Sequence, residues 1–259
     1  MSTAAALHAA AVTDAGWRWR VNQDAVLLAG EVWSDPGPRT ACCELRAGML
    51  AGVADGAAIA PCASRASRTV LELLRVQVQA AQGLSAATAR TIQRLMTDRA
   101  AGTRCEGTSS TLATMRFAGG QVQLLCVGDS RVYLWRDGQL RQISEDHTVA
   151  RRMLIEGEIT AEEAAQAASL YGDLDSALTA SELEDRFDVF FETHALRPGD
   201  AWLCCTDGLT AALTQAQLWQ CLATSGTNDV GQTANTLLQA ARNQRCSDDN
   251  ISLVLAAVL

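Results

Sequence analysis

The 259-residue chain contains no run approaching the ~20 consecutive apolar residues that a bilayer crossing needs, which leaves no candidate for a membrane-spanning helix. It has no CxxC pair among its nine Cys, so zinc-site spacing is missing too. Basic side chains are in deficit, at 21 against 29 acidic ones, for a net charge of −8. That balance argues against nucleic acid or an anionic membrane as the partner, because phosphate backbones demand clustered basic groups. It is compatible with a divalent cation. No internal repeat and no low-complexity linker divides the chain, and the expectation is one domain over residues 1–259. Residues 1–12 are Ala-rich but lack a basic leader, and they read as a disordered tip or the lead-in to a first strand. Cys42, Cys43, Cys126, Cys204 and Cys205 lie in apolar runs. Their placement favours buried reduced thiols in a cytoplasmic protein over a disulfide framework.

What is present is ordinary globular material, 48% hydrophobic and 19% charged. Short apolar runs at 39–43 and 48–54 read as strands. Helical spacing follows over 62–101, broken at Gly83, with Ser85 placed to cap the second helix. Residues 107–143 alternate with period two, and Gly119-Gly120 and Asp137-Gly138 are hairpin-turn dipeptides, so three or four consecutive antiparallel strands are expected there. Two short helices are expected over 147–156 and 160–168, the latter opened by a Thr160–Glu163 capping box. Strands at 186–193, 201–206 and 251–259 and helices at 214–223 and 229–243 complete the pattern. The order implies an α+β layered protein, antiparallel sheets covered by helix pairs.

Acidic turns stand where these strands end: Asn22-Gln23-Asp24, Asp55-Gly56, Gly128-Asp129, Asp207-Gly208 and Asp248-Asp249. One Asp-Gly is most often only a turn, and Asp137-Gly138 is read as nothing more. Several carboxylates at strand ends, beside flexible carbonyls, offer the oxygen donors that hard cations such as Mg²⁺ and Mn²⁺ take.

With Thr108-Ser109-Ser110-Thr111-Leu112, Gly128-Asp129-Ser130-Arg131, Ser144-Glu145-Asp146-His147 and Asp249-Asn250-Ile251 in the same order, the chain resembles the metal-dependent protein serine/threonine phosphatases. These are the PPM type, protein phosphatase 2C-like, and the match is to their bacterial members. The resemblance implies a central sandwich of two antiparallel β-sheets with helix pairs on both outer faces, four layers in all. It implies a cytoplasmic, monomeric enzyme that hydrolyses phosphoserine and phosphothreonine in proteins with two divalent cations, Mn²⁺ or Mg²⁺. Its partner would be a serine/threonine kinase or that kinase's targets. Asp55 would bridge the cations and Gly56 would donate its carbonyl. Asp207 and Asp249 would complete the first ion and Asp24 the second. Asp129 matches the position that helps hold a third, weaker cation.

Two departures accompany the match. Ala57-Ala58-Ile59-Ala60 replaces the loop that usually carries a His proposed as general acid. His147 is a poor replacement for it, so turnover is expected to be slower by up to the roughly 10²–10⁴-fold that acid catalysis supplies. The Arg that usually grips the phosphate is Trp19 here, flanked by Arg18 and Arg20, either of which reaches the phosphate only if a strand there bulges or slips. The usual Arg and Gly near residues 173–178, within a flap expected at 157–190, are also missing. These departures support an alternative reading, a phosphatase-like regulatory binding module with weak or no turnover.

Overall fold

The apolar runs become two stacked antiparallel sheets in the computed structural model, which describes residues 7–18, 20–35, 39–46, 48–166, 173–182, 187–244 and 248–259. In chain order the elements are β1 (Leu7–Asp14), β2 (Asp24–Leu28), β3 (Glu31–Trp33), β4 (Arg39–Leu45), β5 (Leu50–Asp55), α1 (Ala63–Ala81) and α2 (Ala86–Ala100). There follow β6 (Ser109–Ser110), β7 (Leu112–Ala118), β8 (Gln121–Val127), β9 (Arg131–Arg136), β10 (Gln139–Gln142), α3 (Val149–Ile155) and α4 (Ala161–Gln166). The chain continues through β11 (Leu178–Thr179), β12 (Phe190–Ala195), β13 (Ala201–Cys205), α5 (Asp207–Ala212), α6 (Gln215–Ser225), α7 (Val230–Gln244) and β14 (Ile251–Val258). One sheet runs β10-β9-β13-β14-β1-β4 and the other β12-β8-β7-β5-β2-β3.

Successive side chains of a strand point to opposite faces, and here both faces are covered. Val26 and Leu124 point between the sheets, where they meet Phe117, Trp202 and Val254. Their neighbours Leu27 and Leu125 point outward to Leu71, Leu74, Ile92 and Met96 of α1 and α2. On the far side Leu203 and Leu255 pack on Leu209, Leu218 and Leu237 of α5, α6 and α7. The expected α-β-β-α order of layers is present. All eight residues of β14 are buried, so the strand reads as a continuous apolar run with no alternation.

The local signals hold at several points. Gly119, Gly120, Asp137 and Gly138 all have positive φ, as two-residue hairpin loops require. Thr88 Oγ1 accepts the Ser85 N–H at 3.2 Å at the head of α2, and Glu163 accepts the Thr160 N–H at 2.8 Å at the head of α4.

Other expectations need correction. The Ala-rich start is no tip or lead-in from residue 7 onward: Leu7–Asp14 is an interior strand between β14 and β4. Small side chains fit where two sheets and a helix close in, and composition hid that. The antiparallel strands expected over 107–143 are present but divided between the two sheets. β7 and β8 form a hairpin in one sheet and β9 and β10 a hairpin in the other. Cys62 and Cys105 are joined in a disulfide, contrary to the expectation of reduced thiols throughout, while Cys126, Cys204 and Cys205 are buried free thiols as expected. Trp19, the Pro-Gly-Pro run at 36–38, the end of the 160–168 helix and parts of the 157–190 segment lie outside the described residues. Among the described residues no helix is long and apolar enough to cross a membrane.

Candidate metal centre

Four strand ends build the site. Asp24 opens β2 and Asp55 closes β5, and the antiparallel register sets them directly opposite each other. Such a pair shares one face of the sheet at close range, where two like charges repel. From the other sheet, Asp207 follows β13 as the first residue of α5, and Asp249 lies just ahead of β14.

Glycines let these segments close. A Cβ on Gly56 would fall 2.0 Å from the Ala63 carbonyl oxygen, so only Gly admits the start of α1 behind Asp55. A Cβ on Gly208 would fall 1.9 Å from the Asn250 carbonyl oxygen and 3.4 Å from Asp249 Cβ, which fixes α5 against the Asp249 turn.

Neutral groups then hold the carboxylates in place. Thr206 Oγ1 donates to Asp24 Oδ2 at 2.9 Å. Asn250 Oδ1 accepts the Gln23 N–H at 2.7 Å, and its Nδ2 donates to the Ala15 carbonyl at 2.9 Å. The Asp55 N–H reaches Thr111 Oγ1 at 3.0 Å, and Thr111 meets Ser130 at 2.8 Å beside Asp129. These positioning groups lie in or beside the motifs noted in the sequence. Their polarity, buried at strand ends, was the available signal.

Burial and mutual repulsion raise the carboxyls of Asp24, Asp55, Asp129 and Asp207. Asp24 is pushed up to about 7, first by burial and then by Asp207 and Asp249. Asp129 is pushed up to about 8 by burial and Asp207, and Asp207 to about 6 by burial and Asp249. Asp55 rises well above the usual range through burial and the charges of Asp24, Asp207, Asp249 and Asp129. Asp55 and Asp207 are close enough to share a hydrogen bond. Among the described residues Asp24, Asp55, Asp129 and Asp207 form no ion pair with a basic side chain. Asp207 Oδ1 is buried with no hydrogen-bond partner, so an electropositive occupant suits it. The donors are all oxygen, which fits Mg²⁺ or Mn²⁺. Among the described residues no three His, Cys, Asp or Glu side chains are gathered so as to hold a metal ion by themselves. A cavity of about 620 Å³ opens beside Asp129 and Asp207, lined also by Arg131, Asp146 and Arg151.

The remaining candidates are placed differently. Residues 15–18 and 20–23 form a turn and a bend, not a strand, so the expected alternation of Arg18 and Arg20 does not apply. Arg18 pairs with Asp248. Arg20 lines a separate cavity of about 600 Å³, whose wall includes Asn22. His147 Nδ1 accepts the Gly128 N–H at 3.0 Å, and the His147 N–H donates to the Gly128 carbonyl at 2.9 Å. It braces the Asp129 loop, and burial lowers its pKa, which keeps the ring neutral as that acceptor role requires. In the 157–190 region, Asp175 is held by Arg152 at 2.7 Å.

Comparison with known proteins agrees with this architecture. The serine/threonine protein phosphatase PstP of Mycobacterium tuberculosis is 34% identical over 154 residues, 60% of this chain and 28% of that protein. The chain therefore spans under a third of that relative's length. The crystal structure of the M. tuberculosis phosphatase superposes with a TM-score of 0.75 at 26% identity, covering 98% of this chain and 99% of that one. The PstP catalytic domain in complex with two manganese ions gives 0.74 at 27%, with 98% and 99% covered. A sequence model of the protein phosphatase 2C family matches residues 39–244, most of the chain, and the chain belongs to that family.

Proposed function

We propose that this chain is a divalent-cation-dependent phosphatase that removes phosphate from phosphoserine and phosphothreonine in proteins. The observation that carries the reading is the register pair Asp24–Asp55 at the sheet rim, faced by Asp207, none of them in an ion pair with a basic side chain among the described residues. Clustered buried carboxylates cost stability unless a cation offsets them. Two cations are expected, as in the PstP complex. Asp55 would serve both and Gly56 would donate its carbonyl, with Asp207 and Asp249 completing one ion and Asp24 the other. Asp129 would help hold a third. Since no three described side chains hold an ion by themselves, solvent oxygens would have to complete the set.

When bound, such a pair lowers the pKa of water and neutralises charge on a phosphoryl group. The chain's own residues do the rest. The Thr206 hydroxyl fixes the oxygen of Asp24, and Asn250 ties the Gln23 backbone to the Asp249 turn. Arg131 grips Asp146 through both its Nε and Nη2, at 2.9 and 2.6 Å to Oδ2, and lends positive potential to Asp207 and Asp129. The substrate would be a phosphorylated protein, and the natural partner a serine/threonine kinase or its targets. Arg20 is the remaining candidate for a phosphate contact, since Arg18 is engaged by Asp248.

One observation favours a second reading, a regulatory module with little turnover. The loop after Gly56 carries Ile59 fully exposed, and the candidate acid His147 is committed to Gly128. Hydrolysis of an aryl phosphate in Mn²⁺ separates the two. Turnover lost in Asp55→Asn supports the enzyme, whereas tight Mn²⁺ binding with no turnover supports the module.

A further inference from the structure

The cavity lined by Arg20 enters the reading above only through Arg20 itself. Its wall carries Arg20, Arg65, Arg68 and Arg99, with Glu72 as its single acid. Among the described residues none of these four arginines forms an ion pair, and all four are exposed. That is unexpected in a chain with a net charge of −8, where acids are in surplus. Residues 62–106 hold seven Arg against three acids, so the local balance is opposite to that of the molecule. Arg65 lies in the first turn of α1, which has no acid, and a cation is disfavoured there by the helix dipole; Arg68 follows one turn later. The cluster is therefore costly as it stands, and a bound anion removes the cost.

The chemistry selects the anion. Guanidinium forks match the oxygens of phosphate, and several of them around one cavity suit a dianion better than a single carboxylate. Ser64 and Thr69 add hydroxyl donors to the wall. Among the described residues the wall has no aromatic side chain to supply the stacking that nucleic-acid bases use.

Position links the cavity to the metal centre. The first turns of α1 touch both: Ser64, Arg65 and Arg68 line the cavity, while Ala63 lies behind Gly56 and Ser67 Oγ donates to the Gln23 carbonyl at 2.5 Å. Asn22, on the cavity wall, precedes Asp24 by two residues. We propose that this cavity is a second phosphate subsite, which holds a phosphate carried by the same polypeptide as the scissile phosphoserine or phosphothreonine. The proposal rests on the phosphatase reading and names a substrate class for it, multiply phosphorylated protein segments.

The test uses the full chain with Mn²⁺, peptides bearing one or two phosphates, and the triple variant Arg65→Ala/Arg68→Ala/Arg99→Ala. Arg68→Ala alone serves as a milder variant, and thermal melts confirm folding. The wild type should favour the doubly phosphorylated peptide in kcat/KM by at least about tenfold, mainly through KM. The triple variant should lose that preference and keep its aryl phosphate turnover. Equal kcat/KM for the two peptides, or a preference that survives the triple variant, overturns the proposal. Inorganic phosphate titrated by calorimetry identifies the other source of this chemistry. A binding event lost in the variant, without any peptide preference in the wild type, assigns the cavity to free phosphate and overturns the peptide subsite. If no substrate is turned over at all, the phosphatase reading fails by itself. Fluorescence anisotropy then decides the subsite: Arg-dependent binding of the doubly phosphorylated peptide supports it, and absence of binding sinks it.

Discussion

Asp55 sits among more negative charge than any other side chain of the centre, with Asp24, Asp207, Asp249 and Asp129 all acting on it. Asp55→Asn or Asp207→Asn should reduce Mn²⁺-dependent aryl phosphate hydrolysis by roughly 10³-fold or more, because both the ion and its charge neutralisation are lost. The same changes relieve repulsion in the metal-free protein, whose melting temperature should rise by about 2–4 °C for each ~1 kcal/mol recovered. A fall in melting temperature with full activity would remove these residues from the centre. Titration gives an independent check. In the metal-free fold Asp207, Asp24 and Asp129 hold protons up to about 6, 7 and 8, whereas Asp in an unfolded chain releases them near 3.8. The folded state thus binds more protons across this window, and its stability falls as pH rises from about 4 to about 8. Urea midpoints should decline between about pH 5 and 8 without metal, and added Mn²⁺ should reverse the trend. These carboxylates were legible in the sequence because each borders an apolar run in a turn-forming stretch, although Asp24 opens its strand and Asp249 precedes one, where the sequence pattern suggested strand ends. Arg18 was not, since its partner Asp248 lies 230 residues away.

At the scale of the element, α5 and α1 are the supports of the site. Gly208→Ala should cost about 1–3 kcal/mol by driving a methyl group into the Asn250 carbonyl, and it should weaken Mn²⁺ binding with it. Denaturation and calorimetry measure the two effects together, and an alanine variant of wild-type stability would contradict the packing described. Helix α1 is anchored differently. Its N-cap residue, Cys62, has φ 58° and makes no side-chain capping bond, but it is bonded to Cys105 beyond the end of α2. The bridge closes a loop over a sequence separation of 43 residues, so reducing it, or replacing both Cys by Ser, should lower stability by about 2–4 kcal/mol. Unchanged denaturation in dithiothreitol would contradict that contribution. The helices themselves were readable from spacing and caps. The pairing of Cys62 with Cys105 was not, because nothing local marks which thiols a helical hairpin brings together.

For the whole molecule, the layering followed from the order of strand-like and helix-like runs. The assignment of strands to sheets did not, because β8 and β9 are consecutive yet lie in opposite sheets, an arrangement that alternation cannot encode. The arginine cavity escaped notice for a related reason, being assembled from the 20–23 loop and both helices. The centre likewise draws on carboxylates at 24, 55, 207 and 249, nearly the full span of the chain. Contacts so distant in sequence are slow to form, and a nucleus made of local hairpins lacks them. A cation therefore has nothing to grasp until the two sheets have docked. It acts as a latch on the finished fold, not as a seed for it. Mn²⁺ should slow unfolding in stopped-flow measurements and leave the refolding rate nearly unchanged.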